Sequence, residues 1–362
     1  MLNANKTSLE SSKIDSQRNR HHHIFAKFIK LTFVTKFTKK PTLLAIFGVS
    51  VSLAATFTTN VASASTQHTD QSNSENSVTW YGEVGIGFGY DSNVTVDELE
   101  LNSRLGDNFR QYDGKLGLTY DIMPTHTVDV AYKASAKQYQ DNDYLDLNTD
   151  HWSVDYQHKA SKFTYGIQYR HIDTDLDSYH FLRLRTLSPY VSRFLAKQHF
   201  VRMAWTHTDK KLIEQPERDA TSNQFAVHYY YFMQGLKRFW VISYRHKNEN
   251  AIDTDVSFTG NQVNIAYEYR FNLWQRPFKA RVNTQYRHRD YHDAFIILDT
   301  EQFDGVTANR EDKRKSVRAS LTTEITDETQ LKITARYLDN ESDLASLNYN
   351  ETQLNAHFSY QF

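Results

Sequence analysis

Cysteine does not occur among the 362 residues, so no disulfide can staple the fold. That absence suits export through an oxidising periplasm, where stray thiols would pair wrongly. No stretch approaches 18 consecutive apolar residues and the mean hydropathy is -0.67, which excludes a membrane-spanning helix. Proline (5) and methionine (4) are scarce while Tyr (23) and Phe (22) abound, a balance that favours strands.

A basic excess is also missing once the N-terminus is read. Lys27, Lys30, Lys36, Lys39 and Lys40 precede an apolar run from about Leu43 to Phe57. Val61-Ala62-Ser63-Ala64 then supplies the small residues of a cleavage site. Residues 1–64 are therefore expected to be a signal peptide with a long n-region, either an extended signal or the product of a mis-assigned start. Its nine Lys/Arg and two Asp/Glu, taken from 42 and 43, leave a mature chain with 33 basic and 41 acidic residues, a net charge of -8. Nucleic acid is excluded as a partner, because phosphate binding needs a basic face. Residues 65–77, rich in Asn, Ser and Gln, read as a flexible periplasmic leader.

What is present is alternation. In the last ten residues Leu354, Ala356, Phe358, Tyr360 and Phe362 share one parity, and Gln353, Asn355, His357, Ser359 and Gln361 the other. One greasy and one wet face over about ten residues is what a transmembrane β-strand requires. Phe358, Tyr360 and Phe362 also resemble the terminal signal read by the barrel-assembly machinery of bacterial outer membranes. Thirteen further strands follow the same rule from Val78 onward, although the parity of one, near Leu182–Leu195, is ambiguous. Tight links follow the even strands; long acidic or Asn-rich stretches follow the odd ones, at 92–108, 140–150, 173–180, 209–220, 247–257, 290–312 and 339–348. The expected fold is all-β: an antiparallel up-and-down barrel of about 14 strands over residues 78–362, in an outer membrane, with both termini periplasmic.

The odd strands end alike, as Tyr169-Arg170-His171, Tyr244-Arg245-His246 and Tyr286-Arg287-His288, with Arg336-Tyr337 a shifted version. Parity turns the aromatic ring to lipid and Arg170, Arg245, Arg287 and Arg336 to the lumen. Glu268, Arg270, Arg281, Arg318 and Lys332 are expected to line the lumen too. Two roles are open to these bases: an inward ladder paired with acids, or a basic ring near the mouth that attracts anions. Asp113, Asp129 and Asp155 on the early strands could oppose the basic wall. Gly85, Gly87 and Gly89 face the lumen, which allows curvature or close approach of a plug. Asp146-Leu147-Asn148-Thr149-Asp150 begins like a calcium loop but has His151 where the turn glycine belongs, and reads as a solvated loop. No triad, metal site or cofactor motif emerges, so an enzyme is not expected.

Tyr90-Asp91-Ser92-Asn93-Val94, the hairpin repeat and the ending Phe358-Ser359-Tyr360-Gln361-Phe362 resemble the C-terminal barrel of the surface lipoprotein assembly modifier family. The resemblance covers about residues 78–362 and implies help in moving lipoproteins to the cell surface. In that family a helical-repeat domain precedes the barrel; here about fifteen polar residues do. Three functions follow in order: a porin-like channel with a polar, partly basic lumen passing small anionic solutes; the barrel of a surface lipoprotein or protein translocation system; and a closed structural barrel or outer-membrane enzyme. Outer-membrane lipid is the partner common to all three.

Overall fold

The computed structural model describes residues 77–298 and 305–362. The signal segment 1–64 and the leader up to residue 76 lie outside the described residues. Alternation becomes fourteen strands: β1 (Ser77–Asp91), β2 (Asp107–Met123), β3 (His126–Tyr139), β4 (Leu147–Ala160), β5 (Phe163–Leu176), β6 (Tyr179–Ala196), β7 (His199–Leu212), β8 (Ala220–Phe232), β9 (Arg238–Ala251), β10 (Phe258–Leu273), β11 (Arg276–Leu298), β12 (Gly305–Glu324), β13 (Thr329–Ser342) and β14 (Tyr349–Gln361). Each pairs antiparallel with its chain neighbours. β14 pairs with β1 from Glu83↔Gln361 to Asp91↔Gln353, closing the barrel. Closure satisfies the backbone polar groups that hydrocarbon cannot.

Phe362 completes that seam. Its amide donates to the Gly82 carbonyl at 3.0 Å, and the Gly82 amide donates to the Phe362 carbonyl at 2.8 Å. The Phe362 ring lies across Gly82, where a Cβ would meet it at 2.3 Å. A side chain at residue 82 would push the terminal ring off the wall.

The outward face carries Trp80, Trp152, Tyr169, Trp205, Tyr244, Val282, Ile333, Tyr337 and Phe358, all exposed. A soluble protein would bury such a set; here it forms a belt around the barrel, the surface that contacts lipid. The expected membrane-barrel class is the observed fold.

The links differ in detail from the sequence expectation. Strands run 13 to 23 residues, not about ten, because they continue past the belt into what reads as loop sequence. The stretch 173–180 is not a long loop. Its strands meet in the two-residue turn Asp177-Ser178, with φ of 47° and 68°, the left-handed pair that matches hairpin twist. Residues 147–150 belong to β4, so Asn148 and Asp150 are strand residues and this stretch is not a calcium loop. The ambiguous parity of β6 has a cause. Leu182 and Leu184 turn inward to the apolar cluster at the loop end while Leu187 stands exposed on the outward face, so both parities carry apolar side chains. A bulge at Phe181, where Thr174 pairs with Leu182 but Asp175 with His180, lies just before this stretch.

Candidate functional site

One end of the barrel carries short turns, the other the longer connections. The longest fully described connection joins β1 to β2 (residues 92–106, L1) and does not stay at the rim. Thr95-Val96 pairs with Leu101-Asn102, making a small hairpin whose apolar side chains point into the mouth. Val94 is 1% exposed and Val96 6%. They form one apolar cluster with Phe109 of β2, Tyr139 of β3, Phe181 and Leu182 of β6, and Leu212 of β7.

The opposite side of L1 is acidic, and each acid meets a cation. Glu98 lies 3.9 Å from Lys210 of β7. Glu100 accepts from Arg310 of β12 at 2.5 Å and lies 3.1 Å from Arg218 in the β7–β8 connection. Asp97 accepts from Arg314 of β12. Nearer the seam, Thr95 donates to Glu351 of β14 at 3.0 Å. β2, β7 and β12 divide the fourteen-strand ring into arcs of five, five and four strands, so a loop touching all three crosses the mouth. Glu100 and Arg104 hold φ of 54° and 55°, a conformation unfavourable for side-chain-bearing residues that persists where the surroundings impose it.

This setting shifts the loop carboxylates. Burial alone would raise Asp97, but Arg314 and then Arg287 hold it far below the usual carboxylate range. Glu100 is likewise raised by burial and more strongly lowered by Arg310 and Arg218. In the β3–β4 connection Asp146 goes the other way. Burial, reinforced by Asp143, Asp177 and Asp107, pushes it up to about 6 against the hydrogen bond from the Tyr139 amide.

Below L1 lies the wall that parity assigned to the lumen. Arg170, Arg245, Arg281, Arg287, Arg318 and Arg336 are half-buried on inward positions, and Arg270 and Lys332 are exposed. The repeated arginines sit below the rim: β5 continues six residues beyond Arg170, β9 six beyond Arg245 and β13 six beyond Arg336. The strand-end repeat signalled the belt edge, which is not the mouth. Acids serve part of this set. Glu268 accepts from Arg270 at 3.1 Å and from Arg281 at 3.3 Å, and Glu351 from Arg336 at 3.0 Å. Arg318 stands directly opposite Arg336, a like-charge pair that costs stability. Among the described residues neither Arg318 nor Lys332 has a carboxylate within 4.0 Å.

The early acids act on part of that wall, Asp113 on Lys332 and Asp155 on Arg170, and each also accepts a hydrogen bond from another neighbour. Asp113 accepts from His357 at 2.9 Å, Asp129 from Tyr81 and Thr119, and Asp155 from Tyr190 at 2.8 Å. The β1 glycines do not make room for L1. A Cβ at Gly85 would meet the His357 ring at 2.4 Å, and one at Gly89 the Phe109 ring at 2.4 Å; their space belongs to neighbouring strands. At the loop end His288, Asp290 and Glu311 could hold a metal ion, but Lys313 already lies 2.7 Å from Glu311.

Sequence reasoning missed L1 and its cations. Val94, Val96 and Leu99 were the available signal: aliphatic residues spaced through an acidic loop that solvent alone would not favour.

A model of the surface lipoprotein assembly modifier family matches residues 48–362. No curated protein sequence matches the chain. Similar solved structures include OmpT, an outer-membrane protein of Vibrio cholerae (9% identity, 81% of this chain and 99% of that one, TM-score 0.49). An anion-selective porin from Comamonas acidovorans is similar at 10% identity (80% and 100%, TM-score 0.48), and OprD of Pseudomonas aeruginosa at 8% (78% and 95%, TM-score 0.40). At these identities the likeness is one of general architecture and says nothing of substrate.

Proposed function

The chain belongs to the surface lipoprotein assembly modifier family and is an outer-membrane β-barrel, and on that footing we propose that it is a gated conduit serving surface lipoprotein assembly. The observation that carries this reading is the placement of L1 across the mouth of a lumen lined by polar side chains. A pore for free diffusion gains nothing from a loop tied to three sides of its rim. A conduit opened by a particular passenger does. The loop end faces the outside and both termini the periplasm, the orientation in which short turns lie inside. Phe358, Tyr360 and Phe362 present the outward aromatic face that the assembly machinery reads. The barrel's role is passage, not catalysis.

The test uses the absence of native cysteine. Val96→Cys with Leu212→Cys, joined by a short cleavable thiol cross-linker, fixes L1 to the rim. Surface lipoprotein, measured by protease shaving of intact cells, is expected to fall on cross-linking and to return on cleavage. Unchanged display with L1 fixed defeats the gated reading.

A porin-like channel is the second reading, favoured by the wall bases Arg318 and Lys332, which form no salt bridge among the described residues and so can attract anions. Stepwise planar-bilayer currents with anion preference in the resting wild type favour that reading; a silent wild type that conducts once L1 is released favours the first.

A further inference from the structure

L1 is an internal ligand as well as an obstruction. Two sets of partners receive it, on different elements. One is cationic: Lys210, Arg218, Arg310 and Arg314, drawn from β7, the β7–β8 connection and β12. The other is apolar: the cluster containing Tyr139, Phe181, Leu182 and Leu212, with Leu99 of L1 packed against it. Arg310 is 2% exposed and lies 4.0 Å from the Tyr291 ring. Arg314 also donates to Asn340 at 2.8 Å and Tyr349 at 2.8 Å. These partners hold the guanidinium groups in place from the wall side, so the cations are organised by the barrel and not by the loop alone.

We propose that this ring and the apolar cluster beside it form a docking site for an acidic, aliphatic-interspersed segment of a passenger polypeptide, which Thr95–Glu100 occupies as a stand-in until a passenger displaces it. The proposal rests on the conduit reading and names the class of its substrate. Chemistry selects a peptide over a phosphate headgroup. A phosphate would satisfy the guanidinium groups but would leave uncovered the apolar surface that Val94, Val96 and Leu99 now fill. Only a chain alternating carboxylate and aliphatic side chains meets both sets at once. L1 does so with Val94, Val96, Asp97, Glu98, Leu99 and Glu100.

A tethered ligand competes at high effective concentration, so weakening the tether's own acids exposes the site. The probe is a fluorescein-labelled peptide with the sequence of residues 92–103, added to the full refolded chain in detergent. Fluorescence anisotropy is expected to show about tenfold or tighter binding to the D97N/E98Q/E100Q variant than to wild type, the fraction of open site setting the apparent affinity. Lys210→Gln with Arg218→Gln should reverse that gain; the same peptide with its acids amidated should not bind. Equal binding to wild type and variant, equal binding of the amidated peptide, or displacement by inorganic phosphate beyond that of sodium chloride at matched ionic strength overturns the peptide site. Variant currents in planar bilayers separate this from the conduit reading. Binding without conductance retains the site and removes the conduit; conductance that the peptide neither blocks nor binds retains the conduit and removes the site.

Discussion

At the loop end every carboxylate of L1 meets a cation, whereas further down the lumen Arg318 stands opposite Arg336 and one acid, Glu351, contacts only the second. The same residue types therefore do different work at two depths. Charges around L1 are withdrawn from water and matched, so they specify one position for a loop that crosses from wall to wall. On the wall the matching is partial: Arg336 has Glu351, whereas Arg318 and Lys332 form no salt bridge among the described residues. Matched charge fixes position, and unmatched charge stays available for attraction.

The largest expected effect breaks the matched end. Arg310→Ala leaves Glu100 and Asp312 without their shared guanidinium, and losing one partner of a buried pair costs about 3 kcal/mol. Hydrogen exchange at the amides of Val94 and Ser103, which tie L1 to itself, should accelerate accordingly. Unchanged protection would mean that the apolar cluster alone seats the loop.

Acid should separate the two depths next. Asp97 and Glu100 are lowered in the folded chain, so their stabilisation is complete above the ordinary carboxylate value near 4 and is lost as pH falls through the depressed folded values. Limited proteolysis within L1 should be slow at pH 7 and fast well below pH 4, while the wall arginines keep their charge throughout. Cleavage that does not depend on pH in this range contradicts the ionic seat.

The wall should respond weakly. Arg318→Ala removes one member of a like-charge pair, and its stability in vesicles, read by urea unfolding, should change by within about 0.5 kcal/mol or rise slightly. Anion preference, where current flows, should fall. A large loss of stability would show that Arg318 is structural and would erase the contrast between the two regions.

Smallest is the effect at Asp146, which is raised to about 6. Its protonated form favours the folded loop, so that contribution is present below the unfolded value and is lost as pH rises through 6. Asp146→Asn keeps an acceptor for the Tyr139 amide, 2.8 Å away, and should abolish the change in exchange at that amide between pH 4 and 7.

Much of the barrel was legible in the residues. Period-2 alternation placed Tyr169 outside and Arg170 inside, because successive side chains in a strand have no other choice. In β6 the pattern could not be read, because Leu182 and Leu184 face an apolar cluster inside the mouth while Leu187 faces outward, so both parities are apolar. The polar stretch 173–180 misled for a related reason. Strands that project beyond the membrane need no apolar face, so their composition is that of a loop. For the candidate site, the lumen-facing bases were legible by parity, but their partners were not. Asp113 does face the wall base Lys332, but its hydrogen-bond partner His357 is brought beside it only when β14 closes on β1.

The amino-acid sequence by itself determined the class of fold, the strand count and which side chain faces lipid, since these depend on neighbours one and two residues away. Only the tertiary structure decided that residues 92–106 turn into the mouth. That choice rests on Arg310 and Arg314, more than two hundred residues further along, and on Leu182 and Leu212 from other strands. Charge and apolar surface so distant along the chain are brought to one loop only by closing the ring.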